Sequence, residues 1–82
     1  MQIKYSKNAI AFLNKQPKKS VERIRDGVAK LSLIPPKGDI AMMQGYSDNR
    51  KRLRIGSFRV IFKNQDGVLS IIDIGNRGDI YK

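Results

Sequence analysis

Arginine recurs at every second position through Arg50, Arg52 and Arg54, and another, Arg59, follows just beyond the dipeptide Gly56-Ser57. A guanidinium group offers parallel N–H donors that match two oxygens of a phosphate, and it keeps its charge at any physiological pH. A spacing of two puts such side chains on one face of a β-strand. The chemistry this favours is a grip on a ribose-phosphate chain and stabilisation of charge that builds on a phosphate in a transition state. The chain contains no Cys and no His, which removes the usual zinc ligands, the nucleophilic thiol and the commonest proton shuttle. Acid–base work falls to Lys, Arg, Tyr and carboxylates, and no metal or cofactor is needed.

The overall charge agrees with this. Seventeen Lys and Arg against seven Asp and Glu give a formal charge of +10 on 82 residues, which favours a polyanionic partner, nucleic acid first. A merely solubilising surface is the alternative, but it would spread its arginines rather than cluster them. A chain of this length forms one domain, residues 1–82, around a thin core. No apolar run approaches a membrane span, and the opening MQIKYSKN lacks the apolar stretch of a signal peptide. The expected compartment is the cytoplasm, with no membrane partner.

The elements that position the arginines follow from periodicity. Ile3 and Tyr5 alternate with Lys4 in a short strand, and Ser6 is placed to cap a helix carrying Ala9, Ile10, Phe12 and Leu13 through about Gln16. Pro17 breaks that helix or opens the next, which starts near Lys18. Val21, Ile24, Val28, Leu31 and Ile34 predict one apolar stripe along the second helix. Gly27 inside it implies close packing, and Pro35-Pro36 ends it. Lys19, Glu22, Arg23, Arg25, Asp26 and Lys30 form a solvated face. From about Ile40 the period becomes two: strands are predicted over residues 41–45, 50–55, 58–63 and 68–74, with a polar loop at 46–49 and a turn at 64–67. The fold class is α+β: an N-terminal strand, a two-helix hairpin, then an antiparallel sheet, in the order β-α-α-β-β-β(-β).

Gly56-Ser57 suits a two-residue type II′ turn. Ile55 then pairs with Phe58, Arg54 with Arg59, Leu53 with Val60 and Arg52 with Ile61. One face collects Leu53, Ile55, Phe58, Val60 and Phe62 as a core surface, and the other collects Arg50, Arg52, Arg54, Arg59 and Lys63. Like charges directly opposite one another cost stability unless an anion lies between them. A solvated sheet face is the bland alternative. Lys51 belongs to the same basic run and is counted with Arg50, Arg54 and Lys63 as RNA-binding.

The stretch RKRLRIGSFRVIF, with IIDIGNRGDIY near the end of the sequence, resembles the RelE and ParE superfamily of bacterial and archaeal toxins. The shared pattern is a basic strand, a Gly-containing turn, an Arg opening the next strand, and a late Gly-x-Arg with a Tyr close behind. The resemblance covers nearly the whole chain and implies a ribosome-dependent endoribonuclease that cuts messenger RNA by 2′-hydroxyl attack. It implies as partners the ribosome's A site, the message and a cognate antitoxin whose acidic, amphipathic segment covers the arginine face or the nearby helices. By the same resemblance Arg50 and Arg52 hold the message and assist the attack, Arg59 stabilises the phosphorane, Arg77 contacts the scissile phosphate or leaving group, and Tyr81 stacks on or activates the substrate. The expected catalytic set is Arg52, Arg59, Arg77 and Tyr81. Asn76 stands where relatives often carry His, and Arg at 50 and 52 is a poor proton carrier, which leaves acid–base work to Tyr81 or the ribosome.

Some choices stay open in the residues themselves. A gyrase inhibitor shares the scaffold, and a non-catalytic RNA-binding module would carry the same charge. Tyr81 serves either catalysis or packing at the chain end, and Asp73 is either a partner for an Arg or a strand-end surface charge. If Asp66-Gly67 is a two-residue turn, Asn64 pairs with Leu69 and Phe62 with Ile71, and Asp73 and Arg77 fall on the core parity; a bulge at Gly75, or the chain leaving the sheet there, would return Arg77 to the arginine face.

Overall fold

The computed structural model describes residues 2–43, 45 and 49–76. Strand β1 (Gln2–Tyr5) leads into helices α1 (Lys7–Asn14) and α2 (Lys18–Ala29), and four strands follow: β2 (Asp39–Met42), β3 (Lys51–Ile55), β4 (Phe58–Gln65) and β5 (Val68–Asn76). The sheet order is β1-β5-β4-β3-β2. The four later strands pair antiparallel, as expected, and β1 joins parallel to β5, so the complete sheet is mixed. No helix among the described residues is long and apolar enough to cross a membrane.

Both turns of the meander follow their residue types. Gly56 has φ +57° while Ser57 stays out of the left-handed region, as a type II′ turn requires; Asp66 and Gly67 both have positive φ, the type I′ pattern. Each turn gives the register expected of it. Leu53, Phe58, Val60, Phe62, Leu69, Ile71 and Ile74 are buried against Ala9, Ile24, Val28 and Leu31. Phe12 meets Phe58 edge to face, with ring centroids 5.9 Å apart. Gly27 is the point of closest approach: a Cβ there would lie 2.5 Å from Ile55 Cδ1, so α2 nears β3 by lacking a side chain.

Two expectations need correction. Strand β2 begins at Asp39 and ends at Met42, earlier than residues 41–45, because it is fixed by its register with β3 and not by its own weak alternation. Ile34 leaves the apolar stripe and is 99 % exposed. The α-helix stops at Ala29, a 3-10 turn (Lys30–Ser32) follows, and Leu33 is extended with ψ 157°, so the helical spacing no longer applies beyond Leu31. The loop residues Tyr46, Ser47 and Asp48 lie outside the described residues.

Candidate nucleic-acid interface

Register puts the arginines where parity placed them. Arg54 lies directly opposite Arg59, and Arg52 opposite Ile61, all on the face of the sheet turned away from the helices. Ile61 shares this face and is buried. Lys51, by contrast, pairs with Phe62 and so takes the parity of the helix-packed face. Strand alternation separates it from Arg52, and it does not share the arginine face.

A residue not expected in the site organises it. Asp39 on β2 stands directly opposite Arg54 on β3. Its Oδ1 is 3.4 Å from Arg52 Nη1 and its Oδ2 is 3.8 Å from Arg54 Nη1. Arg52 Nη1 also donates to the Asp39 backbone carbonyl at 3.1 Å. One carboxylate therefore spans both guanidinium groups and offsets part of their mutual repulsion. Arg54 Nε is buried and has no hydrogen-bond partner among the described residues. The side chains differ in exposure: Arg52 keeps 17 %, Arg54 32 % and Asp39 55 %. Both arginines are thus largely covered, while the carboxylate that spans them is half exposed.

Strand β5 supplies the remaining wall through a bulge. Phe62 pairs with Ile71, but Ile61 pairs with Asp73, leaving Ile72 as the extra residue. The bulge resets parity at Ile72, one residue before Asp73 would have entered the core, and not at Gly75. Asp73 and Gly75 consequently share the arginine face while Ile74 is buried. Asp73 Oδ1 accepts from its neighbour Ile74 N–H at 2.9 Å, a third role beside the two expected. Ser6 holds the bulge: its N–H donates to Ile71 O at 2.9 Å, its hydroxyl donates to Ile72 O at 2.5 Å, and its Oγ accepts from Ala9 N–H at 3.1 Å. The N-cap of α1 is thus also the clamp that turns Asp73 toward the site.

The helix side carries cations of its own. Arg23 lies over the β3–β4 turn, its Nη2 2.9 Å from where a Gly56 Cβ would stand. Arg23, Lys30, Lys37 and Arg54 line a cleft of about 330 Å³ floored by Gly27, Leu53 and Ile55, with Asp26 as its acidic member. The positive surface therefore continues round the hairpin end. Arg50 and Lys63 are both half-buried, and the Arg50 carbonyl accepts from Met43 N–H at 3.3 Å. Arg77 and Tyr81 lie outside the described residues.

No protein-family model and no curated protein matches the chain. Solved structures do match. The archaeal RelE-RelB complex from Pyrococcus horikoshii OT3 is 26 % identical with a TM-score of 0.77, covering 95 % of this chain and 96 % of that one. The RelB-RelE antitoxin-toxin complex from Methanococcus jannaschii is 20 % identical with a TM-score of 0.75, covering 95 % and 94 %. The isolated E. coli RelE toxin is 20 % identical with a TM-score of 0.67, covering 98 % and 89 %. With its strand, helix pair and arginine-bearing sheet matched over nearly their whole length, the chain has the RelE toxin fold.

Proposed function

We propose that this protein is the toxin of a toxin–antitoxin pair and that it cuts messenger RNA on the ribosome. The observation that carries the proposal is the row Asp39–Arg54–Arg59 beside Arg52 on a rigid sheet, a concentration of cations that folding alone does not require. RNA brings its own nucleophile. The 2′-oxygen attacks the adjacent phosphorus, a 2′-O–P bond forms, the P–O5′ bond breaks, the 2′-hydroxyl proton goes to a base and the departing 5′-oxygen takes up a proton. The protein's task is alignment and charge stabilisation. Arg59 neutralises the phosphorane, Arg52 holds the reacting phosphate, and Arg50, Arg54 and Lys63 grip the flanking backbone. Arg77 and Tyr81 complete the set by the family resemblance, at the leaving group and the substrate base. So small a surface gains from a second wall, which the ribosomal A site supplies. The two archaeal RelE neighbours were solved with RelB, which supports an antitoxin partner for this chain.

Purified ribosomes programmed with a synthetic message test the proposal. Arg59→Ala, Arg77→Ala and Tyr81→Phe should each lower cleavage, Arg59→Ala by about 10²–10³-fold, with unfolding transitions unchanged. Undiminished cleavage by all three would remove the site assignment, and an inactive wild type would remove the ribonuclease reading.

A further inference from the structure

We infer that Asp39 is a positioning residue for the arginine face: its carboxylate aims Arg52 and Arg54 toward the sheet edge and holds them apart from Arg59. The inference rests on the ribonuclease reading for the reaction it serves, and on the geometry for everything else. Arg54 sits between Asp39 on one neighbouring strand and Arg59 on the other. Its Nη1 is on the Asp39 side, 3.8 Å from Oδ2. Arg52, two residues earlier on β3, leans the same way onto Oδ1 and onto the Asp39 carbonyl. An arginine has a long, freely rotating stem, so three of them on adjacent positions would spread through many rotamers, each repelling the others. A single carboxylate shared by two of them selects one arrangement before any RNA arrives, and catalysis by alignment depends on that selection.

The same carboxylate works against binding. It is half exposed on a face meant for phosphates, and a fixed negative charge there weakens attraction to a polyanion. A residue that aids binding would not be acidic, and one that serves only stability gains little from ion pairs whose carboxylate is half exposed. What remains is orientation, which predicts effects of opposite sign on affinity and on turnover.

The test compares wild type with Asp39→Asn and Asp39→Glu. Affinity is measured at low salt for an RNA oligonucleotide blocked by a 2′-O-methyl group at the scissile nucleotide, and turnover on programmed ribosomes. Asp39→Asn should bind about threefold more tightly and turn over about tenfold more slowly, with an unchanged melting temperature, and Asp39→Glu should recover most of the turnover. Unchanged turnover in Asp39→Asn would overturn the inference, as would a loss that tracks melting temperature and is not recovered by glutamate. A second measurement does not depend on cleavage. The ¹⁵N–¹H signals of Arg52 and Arg54 Nε should be dispersed in the free wild type and move toward solvent-exposed arginine positions in Asp39→Asn. If the wild type cuts nothing, the ribonuclease reading fails alone; if these signals do not move, Asp39 does not position the arginines.

Discussion

The two faces of the β3–β4 hairpin share one backbone and one period, yet they answer to different demands. On the helix side Leu53, Val60 and Phe62 are buried beneath Ile24 and Val28, and what they require is shape and apolar area. One residue along in each strand, Arg52, Arg54 and Arg59 stay partly exposed, and burial does not account for their identity. Folding determines one face and leaves the other free for function, with a single residue step separating the two. Leu53→Ala should therefore lower stability by about 2–5 kcal/mol, a large share of the roughly 5–15 kcal/mol that holds an ordinary domain together. Its neighbour Arg52→Ala should lower it by less than about 1 kcal/mol. Urea denaturation of both variants measures the contrast, and equal losses would show that the arginine face is part of the folding unit.

Ser6 joins the faces, so its removal should give an intermediate result. Ser6→Ala deletes the cap on Ala9 N–H and frees the Ile72 carbonyl at the bulge. The cap alone is worth about 1 kcal/mol. Amide exchange should quicken locally at residues 7–9 and 72–75 while β3 and β4 remain protected. Unchanged exchange at residues 72–75 would mean that the bulge is held by the register of β4 and β5 without help from the serine.

The same contrast explains what could be read from residue order. Parity gave both faces of β3 and β4 because Gly56-Ser57 and Asp66-Gly67 each select one turn type, and a two-residue turn fixes the cross-strand pairs that follow until a bulge intervenes. Asp39 was missed because it precedes any clear alternation and matters only through its pairing with β3, a contact between distant residues. The bulge at Ile72 was not legible, and Gly75 was the position considered for one, for a related reason. Glycine is the local signal for irregular backbone, whereas the partner that holds this bulge, Ser6, lies at the other end of the chain. Ile34 misled because its spacing continues a helical stripe that the backbone abandons after Ala29. The parallel pairing of β1 with β5 left no local mark at all.

The smallest effect should come from a polar contact on the helix-packed side. Tyr5 lines a cleft of about 300 Å³ with Ile10, Leu13, Asn14, Val21 and Arg25. Burial raises the pKa of its hydroxyl, opposed by the charge and the hydrogen bond of Arg25. Because the folded pKa lies above the unfolded one, the neutral phenol stabilises the fold fully below the ordinary phenol pKa of about 10. That contribution is lost as pH rises through the folded value. Tyr5→Phe cannot ionise, so it should be less stable than wild type by about 1 kcal/mol at neutral pH, and the gap should close as pH passes about 10. Thermal melts of the pair across the alkaline range read this directly. A gap that stays constant to high pH would place the hydroxyl in water.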